Sequence, residues 1–390
     1  MNNCCLCKEI NSKNSEDFFK IYPELSGYKT RVVLDTPNFI VIVDMAPISN
    51  HHLLIIPKFH YNSFCEIPST LHYEFYFIIK IIRQTYNSED ILMFEHGSGS
   101  DNSIIKGRGN SVFHAHLHII ILLDKNHNFT LSGIKDNLLL AYDLTLKEFN
   151  DSNFLLKMQE CNKNRYSYLF IKYKENHLLF VNSNNTNIES QFLRKYFLYL
   201  NNFKYWDWKN LNNDSKTFFI EKISFILKFW ISKKEQNKHM LSIINILHKI
   251  DIIEEKSPDI HTKVGCLIID KNNNIIIEAC NSFPNSINIT SKRLERPKKY
   301  NYCIPAEYNA IFKAANLGIS LKNTTMYVSR PPCIECAKAI IQSGITKVIL
   351  VGLINKIIEQ YKDNFNIVIQ LFKEAKITLE IYDIINYSIV

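Results

Sequence analysis

Glycine is scarce in this chain, with 10 in 390 residues, and the composition leans instead to Asn, Ile and Lys. That bias carries no function by itself, but it makes glycine placement informative. Four of the ten fall between Gly97 and Gly109. No apolar run is long enough to span a bilayer, and Met1-Asn-Asn-Cys-Cys-Leu-Cys7 is no secretory signal; a cytoplasmic location with no membrane partner is the expectation. Concentrated basic blocks are missing as well. A net charge of +8 therefore gives a mildly basic surface suited to phosphate-bearing ligands, and argues against a dedicated nucleic-acid binder. No internal repeat shows. Histidine is absent after His261.

What is present points to two or three domains with ample apolar material for their cores. Ten cysteines in a chain without a secretory signal favour reduced thiols and metal ligation over disulfides. Two pairs, Cys4/Cys7 and Cys333/Cys336, have the spacing at which thiolates in a tight turn share one zinc.

The densest chemistry lies in Asn110-Ser-Val-Phe-His-Ala-His-Leu-His-Ile-Ile120. His114, His116 and His118 alternate with Ala115 and Leu117 ahead of a branched apolar run, which reads as a β-strand with all three imidazoles on one face. The glycine cluster just before it reads as a loop that brings backbone amides close to a ligand, with Lys106 and Arg108 suited to phosphate oxygens. Upstream, Asn38–Asp44 and His51–His60 read as strands and residues 69–95 as helical.

The histidine spacing resembles the signature of the histidine-triad (HIT) nucleotide hydrolases and transferases. His51-His-Leu-Leu-Ile-Ile-Pro-Lys-Phe-His60 is similar to a second segment of that family, with His51 in place of a glycine. The resemblance implies an α+β domain, an antiparallel sheet with helices, in which His116 attacks the α-phosphate of a nucleotide to form a covalent nucleotidyl-histidine. It also implies substrate contacts from Ser111, His118, Gly107 and Gly109, and a zinc held by Cys4, Cys7, His60 and His114. Such a four-ligand shell is closed and structural. Transferases of the family carry Gln where this chain has His118, so hydrolysis is the expectation, with nucleotidyl transfer the alternative. Ser190-Gln-φ-φ-Arg194, followed by Trp206-Asp-Trp208, resembles the C-terminal extension of a HIT-like branch and makes Gln191 and Arg194 candidates for nucleotide contact. The first domain is expected over 1–213.

A polar Asn/Asp/Ser cluster opens 214–237, which reads as a linker with a bridging helix. Beyond it, 238–390 alternates strands and helices. Ala306-Glu-Tyr-Asn-Ala-Ile and Pro332-Cys-Ile-Glu-Cys336-Ala resemble the zinc-dependent cytidine and deoxycytidylate deaminases. That resemblance implies an α/β/α layered fold, zinc ligands Cys333 and Cys336, proton shuttle Glu307 and substrate contact Asn281. Where the family's histidine ligand belongs, this chain has Pro305. Cys303 is the candidate replacement; without it, two thiolates and water remain. The second half either deaminates a dCMP-like nucleotide or only binds one. Both resemblances imply self-association, with a homodimer expected and a nucleotide as substrate.

Overall fold

The computed structural model describes residues 4–12, 15–98, 114–123, 130–151, 153–184, 186–189, 191–200, 205, 207, 209–352, 358, 362–383 and 388–389. The expected glycine-loop residues Lys106, Gly107, Arg108, Gly109 and Ser111, with Ser190, Trp206 and Trp208, lie outside them. The chain divides into two units, Met1–Leu241 and Ser242–Val390. No helix among the described residues is long and apolar enough to cross a membrane.

The first unit is built on an eight-stranded sheet in the order β1-β2-β3-β5-β4-β7-β8-β6. Its strands are β1 (Val32–Asp35), β2 (Phe39–Val43), β3 (His52–Pro57), β4 (Ile91–Gly97), β5 (Leu117–Ile121), β6 (Thr145–Phe149), β7 (Tyr168–Tyr173) and β8 (Asn176–Val181). Every pairing is antiparallel. All five residues of β2 and of β5 are buried. Such runs of Ile, Leu and Val are what a strand covered on both faces requires.

Among the described residues, seven helices and part of an eighth accompany the sheet: α1 (Cys5–Ser12), α2 (Glu16–Ile21), α3 (His72–Tyr86), α4 (Leu131–Ala141), α5 (Phe154–Cys161), α6 (Phe192–Leu200), α7 (Asn213–Ser232) and the start of α8 (Lys234–Glu254). Helix α3 stops well before residue 95. Asn87 takes a left-handed conformation, φ 50°, and its N–H caps the carbonyls of Arg83 and Gln84, a termination that Asn tolerates. Residues 91–95, expected to continue the helix, and Gly97, expected to open the glycine loop, belong to β4 instead.

Segment 214–237 holds the expected helix, α7. The polar cluster is a helix start: Asn212 Oδ1 accepts from Ser215 N at 2.8 Å and Ser215 Oγ accepts from Asn212 N at 2.9 Å, a reciprocal cap. Helix α7 then packs on the first unit through Tyr28–Ser224 (2.8 Å) and Trp230 Nε1 donating to Tyr86 Oη (2.9 Å). The division falls inside α8, four residues beyond the expected start at 238.

The second unit carries a mixed six-stranded sheet, β10-β9-β11-β12-β13-β14: β9 (Gly265–Ile269), β10 (Ile275–Cys280), β11 (Thr325–Val328), β12 (Lys347–Gly352), β13 (Thr378–Asp383) and β14 (Ser388–Ile389). The β11–β12 and β12–β13 pairs are parallel. Helices α9 (Ser291–Leu294), α10 (Ala306–Leu317), α11 (Ile334–Ser343) and α12 (Lys362–Glu374) join them. Ala306, Ala310 and Ala314 of α10 share one core with Ile268, Val328 and Val348 of the sheet. Small alanines at that spacing form one helical face and let it approach closely.

Candidate functional site

The three triad imidazoles are put to different uses. Strand β5 begins only at Leu117, so His114 and His116 lie on its entry, where Ala115 N pairs with Tyr61 O at 2.7 Å. His114 turns toward Cys4, Cys7 and His60, while His116 and His118 line a cavity of about 460 Å³, their centroids 5.2 Å apart.

The four donors Cys4, Cys7, His60 and His114 lie within 4.8 Å of one another. Cys7 Sγ is 3.3 Å from His60 Nδ1 and 3.4 Å from His114 Nδ1, and Cys4 Sγ is 3.5 Å from His114 Nδ1. One tetrahedral zinc, with bonds of about 2.3 Å to sulfur and 2.0 Å to nitrogen, holds such atoms about 3.5 Å apart. His114 Nε2 donates to Pro57 O at 2.8 Å, which leaves Nδ1 with its lone pair free for a metal. The residues present fit the ion.

His116 Nδ1 is 2.7 Å from the His114 carbonyl. A carbonyl only accepts, so Nδ1 carries the proton and Nε2 keeps its lone pair. Burial lowers its basicity and favours that neutral form.

His118 has a fixed tautomer too. Ile48 N–H donates to His52 Nδ1 at 3.2 Å, so His52 is protonated on Nε2, which lies 2.9 Å from His118 Nδ1. His118 Nδ1 therefore accepts, and its Nε2 carries the hydrogen. Its ring is stacked on Phe94, 4.4 Å between centroids at 4°. Burial pushes His52 down to about 4 and His118 well below its ordinary value.

Asp44 completes the cluster. Burial alone would raise its carboxyl, but Arg194, with His52 and His118 nearby, holds it well below the usual range. Asp44, His52 and His118 also form a three-donor group. The 2.9 Å separation of the two imidazole nitrogens and the Arg194 guanidinium at 2.7 Å make it a hydrogen-bonded cluster, not a cation site.

His52, Asp44 and His96 were not singled out in the sequence. His52 carried a signal, standing beside His51 in a recognisable segment. His96 had one in register: Phe94 is opposite His118 across β4–β5, so alternation carries His96 onto the same face, where it lines the cavity. Burial, with His116 adding, pushes His96 down to about 4. Asp44 had none.

In the second unit, Cys333 caps α11 and its Sγ accepts from Cys336 N at 3.4 Å. Glu307 is buried in the first turn of α10 and is pushed up to about 7, chiefly by burial, with Cys333 adding. Pro305 is the residue before that helix, φ −58°. Cys303 does not take the missing place. Ile304 is bridged to Ser282 on both sides (2.7 and 3.2 Å), and Cys303 Sγ faces Ile304 O at 3.7 Å and Asn281 Nδ2 at 4.0 Å. Among the described residues, neither the four-donor nor the three-donor group includes Cys303, Cys333 or Cys336. The residues present do not fit a three-ligand catalytic zinc.

Asn281 is occupied by the chain itself. Its Oδ1 accepts from Ser257 Oγ and Val264 N, both at 2.8 Å, and its Nδ2 donates to Thr262 O at 2.8 Å.

Comparison with known proteins agrees with this division. Residues 27–122 match the HIT domain and residues 245–352 match the cytidine and deoxycytidylate deaminase zinc-binding region. The first unit thus carries a match to the HIT domain and the second a match to the deaminase zinc-binding region. Human deoxycytidylate deaminase is 36% identical over 104 residues, 25% of this chain and 57% of that protein. The probable deoxycytidylate deaminase of Caenorhabditis elegans is 36% identical over 97 residues, 24% and 48% respectively. The chain spans about half the length of these curated relatives. Among solved structures, a HIT family hydrolase from Clostridium thermocellum is 21% identical with a TM-score of 0.23, covering 33% of this chain and 99% of that one. A cyanophage S-TIM5 dCMP deaminase in complex with dCMP and dUMP is 20% identical with a TM-score of 0.29, covering 35% and 94%.

Proposed function

We propose that the first unit hydrolyses a nucleotide phosphoanhydride or phosphoester through a nucleotidyl-His116 intermediate. The observation that carries this reading is the Nδ1–H···O=C bond of His116, which leaves Nε2 as a neutral nucleophile in a cavity large enough for a nucleotide. Nε2 donates its lone pair to phosphorus, a P–N bond forms, and the P–O bond to the leaving group breaks with its electrons passing to that oxygen. The Nε2–H of His118 stabilises the developing negative charge. Water then attacks phosphorus and restores the free imidazole. Ser111 and the backbone at Gly107 and Gly109 are the further substrate contacts of this reading. Zinc on Cys4, Cys7, His60 and His114 supplies no chemistry; it pins the N-terminal segment to the entry of the catalytic strand. The assembly of this reading is a homodimer.

For the second unit, the reading favoured by Pro305 and by the placement of Cys303 is a nucleotide-binding module without deaminase turnover. Glu307, Cys333, Cys336 and Asn281 then stand as the remnant of a deaminase site. Deamination of a dCMP-like nucleotide is the alternative.

One experiment tests both. The whole protein is incubated with a panel of nucleotides and nucleotide esters, and phosphate-ester cleavage, ammonia release and acid-labile label on the protein are followed separately. Cleavage with label on His116 and no ammonia is expected. Cleavage without any covalent label at short times sinks the first reading; ammonia from dCMP sinks the second. Label that clears only when an acceptor is added indicates nucleotidyl transfer.

A further inference from the structure

We propose that Arg194 of α6, outside the span matched by the HIT domain, is a positioning residue that takes the Asp44 carboxylate and so keeps the His52–His118 pair neutral, with His118 as an Nε2–H donor. The proposal rests on the nucleotidyl-His116 reading for its kinetic consequence but not for its structural one.

Both oxygens of Asp44 are held. Oδ1 accepts from Ala46 N at 2.8 Å and Oδ2 from Arg194 Nη1 at 2.7 Å, while Arg194 Nη2 donates to the Ala46 carbonyl. His52 Nε2 and His118 Nδ1 stand 3.9 and 3.8 Å from Oδ2, beyond hydrogen-bond range. All four side chains are buried. One carboxylate and one guanidinium balance, and the imidazoles need carry no charge.

Take away the guanidinium and a buried carboxylate remains, which such an interior does not tolerate unpaired. The neighbours able to neutralise it are His52 and His118. Among the described residues, Arg31, Tyr22 and His116 also face the cluster, and Arg31 is already held by both oxygens of Glu9 at 2.8 and 2.6 Å. A proton added to His52 Nδ1 collides with the Ile48 N–H. One added to His118 Nδ1 collides with the His52 Nε2–H. Either breaks the order that runs Ile48 N–H, His52, His118 and points the last hydrogen into the cavity. Arg194 prevents this from outside the sheet, and its helix also supplies Phe192 and Leu193 to the cavity wall, with Gln191 just before it.

The test uses the full chain, in the forms wild type, Arg194→Lys, Arg194→Met and Asp44→Asn/Arg194→Met. Nitrogen-15 imidazole spectra at neutral pH report the protonation and tautomer of His52 and His118 independently of turnover. Cleavage of the p-nitrophenyl ester of AMP gives kcat and KM. In wild type, both imidazoles are expected to be neutral with His118 protonated on Nε2. Arg194→Met should show an imidazolium in the pair and lose about 100-fold in kcat, with KM within about threefold. Arg194→Lys, which keeps the charge, should keep the neutral pair. The double variant, which removes both charges, should recover the neutral tautomer and most of kcat. A neutral Nε2–H His118 in Arg194→Met, or no recovery in a folded double variant, overturns the proposal. Should Arg194→Met not fold, an imidazolium in Arg194→Lys at neutral pH overturns it equally. A wild type that cleaves nothing, yet shows the ordered tautomers and their loss, would sink the hydrolase reading and leave the positioning role standing.

Discussion

Each unit has a Cys-x-x-Cys pair, and the two differ in what stands opposite the thiols. In the first unit, His60 and His114 arrive from beyond β3 and from the entry of β5 with ring nitrogens 3.3–3.5 Å from sulfur. In the second, the pair opens α11 and the position that should face it is Pro305, which begins α10 without disturbing it. Proline suits the start of a helix because its φ is already set and its missing N–H has no helical partner there. The fold can therefore outlive the ligand. A Cys-x-x-Cys pair marks where a metal could sit; only the element packed against it decides whether one does.

Two substitutions strain the first side of this contrast, and they separate chemistry from metal. His116→Ala should lower nucleotide cleavage by about 10⁴-fold or more, the loss expected when a nucleophile is removed, while zinc measured by atomic emission stays unchanged. Metal lost together with activity would mean that His116, not His114, belongs to the shell. Cys7→Ala should do the reverse first. Zinc should fall from about one per chain toward none, and unfolding should cost more than about 4 kcal/mol less than in wild type, because loss of a structural metal ranks among the most destabilising changes. Unchanged zinc content in that variant would leave the first site no better than the second.

The two sites were unequally legible in the sequence. Cys4, Cys7, His60 and His114 could be named because each sits in a short segment of recognisable spacing. Period-two alternation could not show that β5 starts only at Leu117. Arg194 could be named only as a candidate nucleotide contact; its partner Asp44 is 150 residues away and carries no local pattern. The polar cluster at the start of α7 misled for a different reason. An Asn/Asp/Ser cluster serves both loops and helix caps, and the reciprocal bonds of Asn212 and Ser215 that settle the matter are invisible in composition. The halves and their fold classes were legible from long-range likeness; Pro305 could be singled out because proline offers no atom to a metal.

The second side is tested by gain. Pro305→His should restore a three-ligand site with Cys333 and Cys336 and raise zinc by about one per chain. Ammonia release from dCMP would then show that the remainder of the site is intact. If the unaltered chain already binds about two zinc ions and releases ammonia, the contrast between the units disappears.

The smallest effect expected is on stability, and it concerns the catalytic strand's neighbour β4. Glu95 is buried there and is pushed up to about 8 by desolvation, although Tyr168 Oη and Phe64 N–H (3.0 Å) donate to it and pull the other way. In the folded chain it holds a proton that the unfolded chain releases near its ordinary value of about 4.3. Between those values the native state binds more protons than the unfolded one, so unfolding free energy should fall as pH rises from about 5 to about 8, by at most about 1.4 kcal/mol per pH unit from this group. Above that window the group adds no further slope. Glu95→Gln, which keeps the shape and cannot ionise, should flatten this part of the curve in urea melts of the whole protein. A slope that survives the substitution would assign the pH dependence elsewhere, and would mean that Tyr168 and Phe64 stabilise a Glu95 already charged at neutral pH.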